Sequence, residues 1–182
     1  MTNDSFSQMK IALIGAGNVA ACLGPRLKEA GNDITMVFSR TVQSARTLAE
    51  RLDVPYTTSL KAVPQSDVCI VMLKDDALAE LASDIVDSLG NALYLHTAGS
   101  LPMDIWRRAG ASRFGVLYPM QTFSRTSAID WSGVPLFIEA SSDETLEVLR
   151  KLALTISDDV SVLSSEGRRK LHLAAVFTCN FT

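Results

Sequence analysis

Six consecutive residues, Gly15-Ala16-Gly17-Asn18-Val19-Ala20, have the types and spacing to hold a phosphate. They follow the apolar run Ile11-Ala12-Leu13-Ile14. An apolar strand that breaks at G-x-G-x-x-A into a helix is the dinucleotide-binding fingerprint. Gly15 permits the tight turn out of the strand, Gly17 puts no side chain between the backbone and a pyrophosphate, and small Ala20 lets helix and strand pack closely. The unpaired N–H groups of the first helical turn then face the phosphates, and the helix dipole favours their charge. The plain alternative is an ordinary tight turn. The strand–helix units that follow favour the nucleotide.

Five further segments carry candidate chemistry. An NAD enzyme places an Asp or Glu about twenty residues beyond the glycines, for the ribose 2′-hydroxyl. Here that place holds Ser39-Arg40-Thr41. Arg40 can meet a 2′-phosphate, with Ser39 and Thr41 donating hydrogen bonds, so the expected cofactor is NADP rather than NAD. The missing acid also argues against a methyltransferase that uses S-adenosylmethionine. Leu73-Lys74-Asp75 follows another apolar run, and its backbone would line the ribose and nicotinamide side; Asp75 and Asp76 alone are ordinary first-turn residues. His96-Thr97-Ala98-Gly99-Ser100 leaves a strand where ligands bind, so His96, Thr97 and Ala98 face the cofactor, and His96 could also give a proton or be a structural histidine. In Tyr118-Pro119-Met120-Gln121-Thr122, Gln121 and Thr122 are candidate substrate contacts, whereas Tyr118 and Met120 read as packing. Near the end, His172 and Asn180 share one side of an apolar helix and need polar partners. Arg168-Arg169-Lys170 reads as a solvated basic run.

The elements that must position these groups alternate. A helix over about 18–30 contains Pro25, which removes the bond to the Ala21 carbonyl and should kink it. A strand over 34–38, a helix carrying Val42, Ala45, Leu48 and Leu52, and a short strand near Val54 to Tyr56 follow. Asp67 to Leu73 is the continuous apolar run of a strand covered on both faces. A helical stripe from Leu78 to Leu89 stops at Gly90, and strands over 92–96 and 113–118 enclose a short helix capped by Ser100. After a loop over 119–133 come a strand over 136–139, a helix opened by the capping box Ser141…Glu144, and a short strand over 160–163. Ser164 caps a last helix, apolar nearly all round and so expected to be buried on several sides. This order implies an α/β fold with a doubly wound, mostly parallel sheet. The expected division is a flexible tail at 1–8, a nucleotide-binding domain at 9–163, and at 164–182 the first helix of a truncated helical domain.

Of 182 residues 47% are hydrophobic and 20% charged, with net charge −3. With no basic stripe and no apolar run long enough for a bilayer, neither nucleic acid nor membrane is an expected partner. Cys22, Cys69 and Cys179 have no metal spacing and read as reduced thiols of a cytoplasmic protein.

The fingerprint G-A-G-N-V-A, the strand-end S-R, and the segments H-T-A-G-S, Y-P-M-Q-T-F-S and L-H-L-A-A-V-F-T-C-N-F together resemble a bacterial family of Rossmann-like reductases that carry a C-terminal domain of unknown function. That family is similar to pyrroline-5-carboxylate reductase, the deazaflavin-dependent NADP reductases and the 3-hydroxyacid dehydrogenases. The resemblance implies an NADP-binding domain, a C-terminal helical dimerisation domain of the 6-phosphogluconate dehydrogenase type, and a substrate pocket between them. Hydroxyacid relatives use a lysine and an asparagine one turn apart; Lys170 is followed one turn later by Ala174, so that pair is not carried over. The expected activity is NADP-dependent hydride transfer to or from a C=O or C=N carbon of a small molecule. The proton donor would be His172 or His96, with Asn180 and Gln121 orienting the substrate. The alternative is a module that binds NADP(H) without catalysis.

Overall fold

In the computed structural model the described residues are 8–124 and 129–180, excepting the side chains of 178–180. The strands are β1 (Lys10–Ile14), β2 (Asp33–Phe38), β3 (Tyr56–Thr57), β4 (Val68–Val71), β5 (Leu93–His96), β6 (Arg113–Pro119), β7 (Leu136–Ala140) and β8 (Val160–Val162). The helices are α1 (Asn18–Glu29), α2 (Val42–Leu52), α3 (Asp75–Leu89), α4 (Asp104–Arg108), α5 (Asp143–Leu154) and α6 (Ser165–Asn180).

The strands form one sheet in the order β3-β2-β1-β4-β5-β6-β7-β8. All neighbours run parallel except β6 and β7. This is the doubly wound α/β arrangement, and strand order reverses between β1 and β4, where the glycine turn emerges. Every residue of β4 and β5 is buried, as a sheet covered on both faces requires. Alternation along β1 divides the core: Ile11 and Leu13 join the cluster with Leu23, Leu27 and Leu52, while Ala12 and Ile14 join the one with Leu78, Ile85 and Trp106.

Pro25 lies inside α1. The Ala21 carbonyl it leaves without a helical donor accepts from Arg51 Nη1 of α2 at 2.8 Å, so the packed helix replaces the lost bond. Two cap assignments shift. Ser142, not Ser141, caps α5 by accepting from the Thr145 N–H, because Ser141 Oγ accepts instead from the Phe114 N–H of β6. Ser100 does not cap α4, whose cap is Met103; its hydroxyl donates to Asp75. Ser164 does open α6, its hydroxyl accepting from the Gly167 N–H at 3.3 Å. Leu173, Val176 and Phe177 on α6 are exposed in the single chain. Among the described residues, no helix is long and apolar enough to cross a membrane.

Candidate functional site

The two glycines of the turn do different work. Gly15 has φ +116°, and a Cβ there would collide with the Met72 carbonyl oxygen beyond β4. Its N–H donates to the Phe38 carbonyl at the end of β2, 2.8 Å away. The turn is thus clamped between its neighbours. Gly17 is the opposite case: a Cβ there would meet nothing within 4 Å. It caps α1 without a side-chain bond, and no acid stands in the first turn. An open, backbone-lined helix start of this kind accepts an anion such as a pyrophosphate. The chemistry of the turn fits a dinucleotide.

Gly17, Asn18 and Val19 form one wall of a cleft of about 490 Å³. The floor and far wall come from Met72 to Asp75 after β4, Thr97 to Ser100 after β5, Tyr118 and Pro119 of β6, Phe123, and His172 of α6. These segments sit at the carboxyl ends of parallel strands, the ligand edge of such a sheet. Asn18 Nδ2 donates to the Phe123 carbonyl at 3.1 Å and the Cys22 thiol to the Ser124 carbonyl at 3.3 Å, so the loop after β6 lies against the start of α1.

Opposite the glycine turn, the Tyr118 hydroxyl and His172 Nδ1 are 2.9 Å apart, with the rings edge to face. The close approach depends on Gly99, where a Cβ would stand 2.5 Å from His172 Cγ and Nδ1. Burial raises the Tyr118 hydroxyl pKa, and the Arg168 charge opposes that rise. Beneath the pair, Arg168 is fully buried. It pairs with Glu139 Oε2 of β7 at 2.7 Å and donates to the Leu101 carbonyl at 2.6 Å and to Ser165 Oγ at 3.2 Å. Glu139 also accepts from the Ser165 N–H and hydroxyl. This corrects the reading of a solvated basic run: only Lys170, paired with Glu166, and Arg169 are exposed, while Arg168 bolts α6 to β7 and to the segment after β5.

The structure brings most of the expected residues together. Gly17, Asn18, Val19, Leu73, Lys74, Asp75, Thr97, Ala98 and His172 line the cleft. Ala16 and Ala20 are buried behind it. Ser39 is half-buried, and Arg40 and Thr41 are exposed, at the end of β2, beside the Phe38 carbonyl that receives Gly15. His96 is different. It lies under the cleft, fully buried, with Nδ1 accepting from the Ala98 N–H at 3.2 Å. Burial, then the Arg168 charge, lowers its pKa to about 3, against the pull of the Pro102 carbonyl. A neutral, enclosed imidazole cannot reach a substrate, so the proton-donor reading of His96 gives way to a structural one. Gln121 is exposed outside the cleft, its Oε1 accepting from the Thr122 N–H. The Asn180 side chain lies outside the described residues. Tyr118 was missed because a tyrosine on an apolar strand reads as packing; only its partner, 54 residues later, reveals the polar role.

Residues 10–98 match the family model described as NADP oxidoreductase, coenzyme F420-dependent, and residues 134–182 match a domain of unknown function. Among solved structures, the "putative NADP oxidoreductase" of Bacteroides fragilis is 48% identical with TM-score 0.91, the match covering 96% of this chain and 68% of that one. A Thermotoga maritima protein is 24% identical with TM-score 0.73, over 94% of this chain and 64% of that one. An imine reductase of Myxococcus stipitatus, in complex with NADP+, is 19% identical with TM-score 0.74, over 93% and 61%; that likeness is one of fold. No curated protein matches the chain.

Proposed function

The chain belongs to the family of NADP oxidoreductases that includes the Bacteroides protein, and from that membership we propose that it transfers a hydride between the nicotinamide of NADP and a C=O or C=N carbon of a small molecule held in the cleft. One observation carries the reading: an anion-accepting turn open at Gly17 and a polar pair, Tyr118 and His172, line the same cleft. NADPH, when bound, supplies the hydride. The protein's residues do the rest. The first N–H groups of α1 hold the pyrophosphate. Arg40, with Ser39 and Thr41, meets the 2′-phosphate. The backbone of Leu73 to Asp75 and of Thr97 and Ala98 runs along the ribose and nicotinamide. Met72, Pro119 and Phe123 keep water from the reacting carbon. The proton comes from the end of the cleft that holds His172. The same reading makes the protein a cytoplasmic homodimer joined through its C-terminal helical region, where Leu173, Val176 and Phe177 are exposed.

Calorimetric titration with NADPH and NADH tests the reading. NADPH is expected to bind more tightly, and Arg40→Ala to weaken NADPH about tenfold or more with NADH little changed, the scale of a lost hydrogen bond to a charged group. Equal binding of both cofactors, unaltered in R40A, would remove Arg40 from the site; binding of neither would remove the dinucleotide.

A further inference from the structure

We propose that Tyr118 is the proton donor of the cleft and that His172 refills it, the two acting as one acid; this rests on the hydride-transfer reading above. Tyr118 sits near the carboxyl end of β6, where the sheet presents ligands, and its ring lies in the cleft wall, buried except for a small part. Phe137 stacks on it at 6.4 Å and fixes its direction. The hydroxyl has one partner among the described residues, His172 Nδ1 at 2.9 Å. The imidazole lies close to Gly99, where an added Cβ would stand 2.5 Å from Nδ1. No other atom of the described residues bonds Nε2.

The geometry sets the order of the transfers. As the substrate carbon takes the hydride, its oxygen or nitrogen takes the Tyr118 hydroxyl proton and the O–H bond breaks. The phenolate left behind takes the proton of His172 Nδ1 as Nε2 takes one from solvent, which leaves the imidazole with its hydrogen on Nε2, and exchange through solvent then returns that hydrogen to Nδ1. One hydride and one proton are added to the C=O or C=N bond, and the protein returns to its starting state. Among the described residues the charged groups around the pair are Arg168 below it on α6, paired with Glu139 of β7, and Lys74 and Asp75 at the start of α3, where Ser100 donates to the Asp75 carboxylate. Burial raises the Tyr118 pKa, and the Arg168 charge, one helical turn before His172, offsets part of that rise.

Reciprocal titration tests the pair in the protein without substrate. The chain has two histidines and three tyrosines. The His172 ring-proton midpoint is followed by NMR in wild type and Tyr118→Phe, and the tyrosinate absorbance in wild type and His172→Gln. NADPH titration runs beside both. A shared proton requires each substitution to displace the other's midpoint, by half a pH unit or more, since coupling is mutual. Midpoints unmoved in both variants overturn the pair. NADPH that binds while the titrations are independent leaves the hydride-transfer reading standing without this donor. Coupled titrations with no NADPH binding leave the pair and remove the reaction assigned to the cleft.

Discussion

The two walls of the cleft are built by opposite means. The glycine-turn wall is made by leaving side chains out: Gly15 is squeezed against Met72, Gly17 opens onto empty space, and backbone N–H groups point outward. The opposite wall is made by side chains brought together from distant parts of the chain: Tyr118 from β6, His172 and Arg168 from α6, Glu139 from β7. The first wall is the turn of one strand–helix junction, held between the end of β2 and the residue after β4. The second exists only when α6 docks. A wall built from backbone fits a ligand part common to many proteins, and a wall built from side chains fits the part that differs.

The largest expected effect comes from the first wall. Gly15→Ala adds a Cβ where φ is +116° and the Met72 carbonyl leaves no room, which combines backbone strain with overpacking. Denaturant unfolding should show a loss of roughly 4 kcal/mol. Gly17→Ala is its control: the added methyl meets no atom within 4 Å, so stability should fall by no more than about 1 kcal/mol, the scale of a helix-cap change. NADPH affinity should nevertheless drop about tenfold or more, because the methyl occupies the approach to the backbone. Intact NADPH binding in G17A would mean that phosphate does not come close at that point.

The second wall breaks at its ion pair. Glu139→Ala leaves the Arg168 guanidinium buried with, among the described residues, only the Leu101 carbonyl and Ser165 hydroxyl as partners. Stability should fall by about 3 kcal/mol, as for other buried pairs that lose one member. A change below about 1 kcal/mol would show that α6 is held by its other contacts.

This difference explains what could be read beforehand. The turn Gly15 to Ala20, the alternation of strands and helices, and the segments after β4 and β5 that line the cleft were legible because each is a pattern within a short stretch of chain. The reading failed where distance in sequence decides. Arg168 looked solvated at the head of a basic run whose other members, Arg169 and Lys170, are exposed, and its burial depends on Glu139, 29 residues away. His96 looked available because its strand ends at the ligand edge, yet it is enclosed with Trp106 beside it, 6.3 Å between rings. Ser141 and Ser142 could each cap α5, and only the use of Ser141 by β6 decides between them.

The smallest expected effect separates the walls most sharply. Gly99 belongs to the segment after β5, which the cofactor reading places along the nicotinamide, yet a Cβ there would strike His172, not open space. Gly99→Ala must therefore turn the imidazole or move α6 away, since 2.5 Å is closer than a Cβ and a ring atom can stand. The overpacking should cost about 1 kcal/mol. NADPH affinity should stay within about twofold of wild type, because the backbone facing the cofactor is unchanged, whereas the mutual displacement of the Tyr118 and His172 midpoints should vanish. Titration of G99A beside G17A then sorts the two glycines by which wall each serves. If G99A lowers NADPH affinity as far as G17A does, His172 and the cofactor compete for the same room, and the cleft is one surface with no division of labour between its sides.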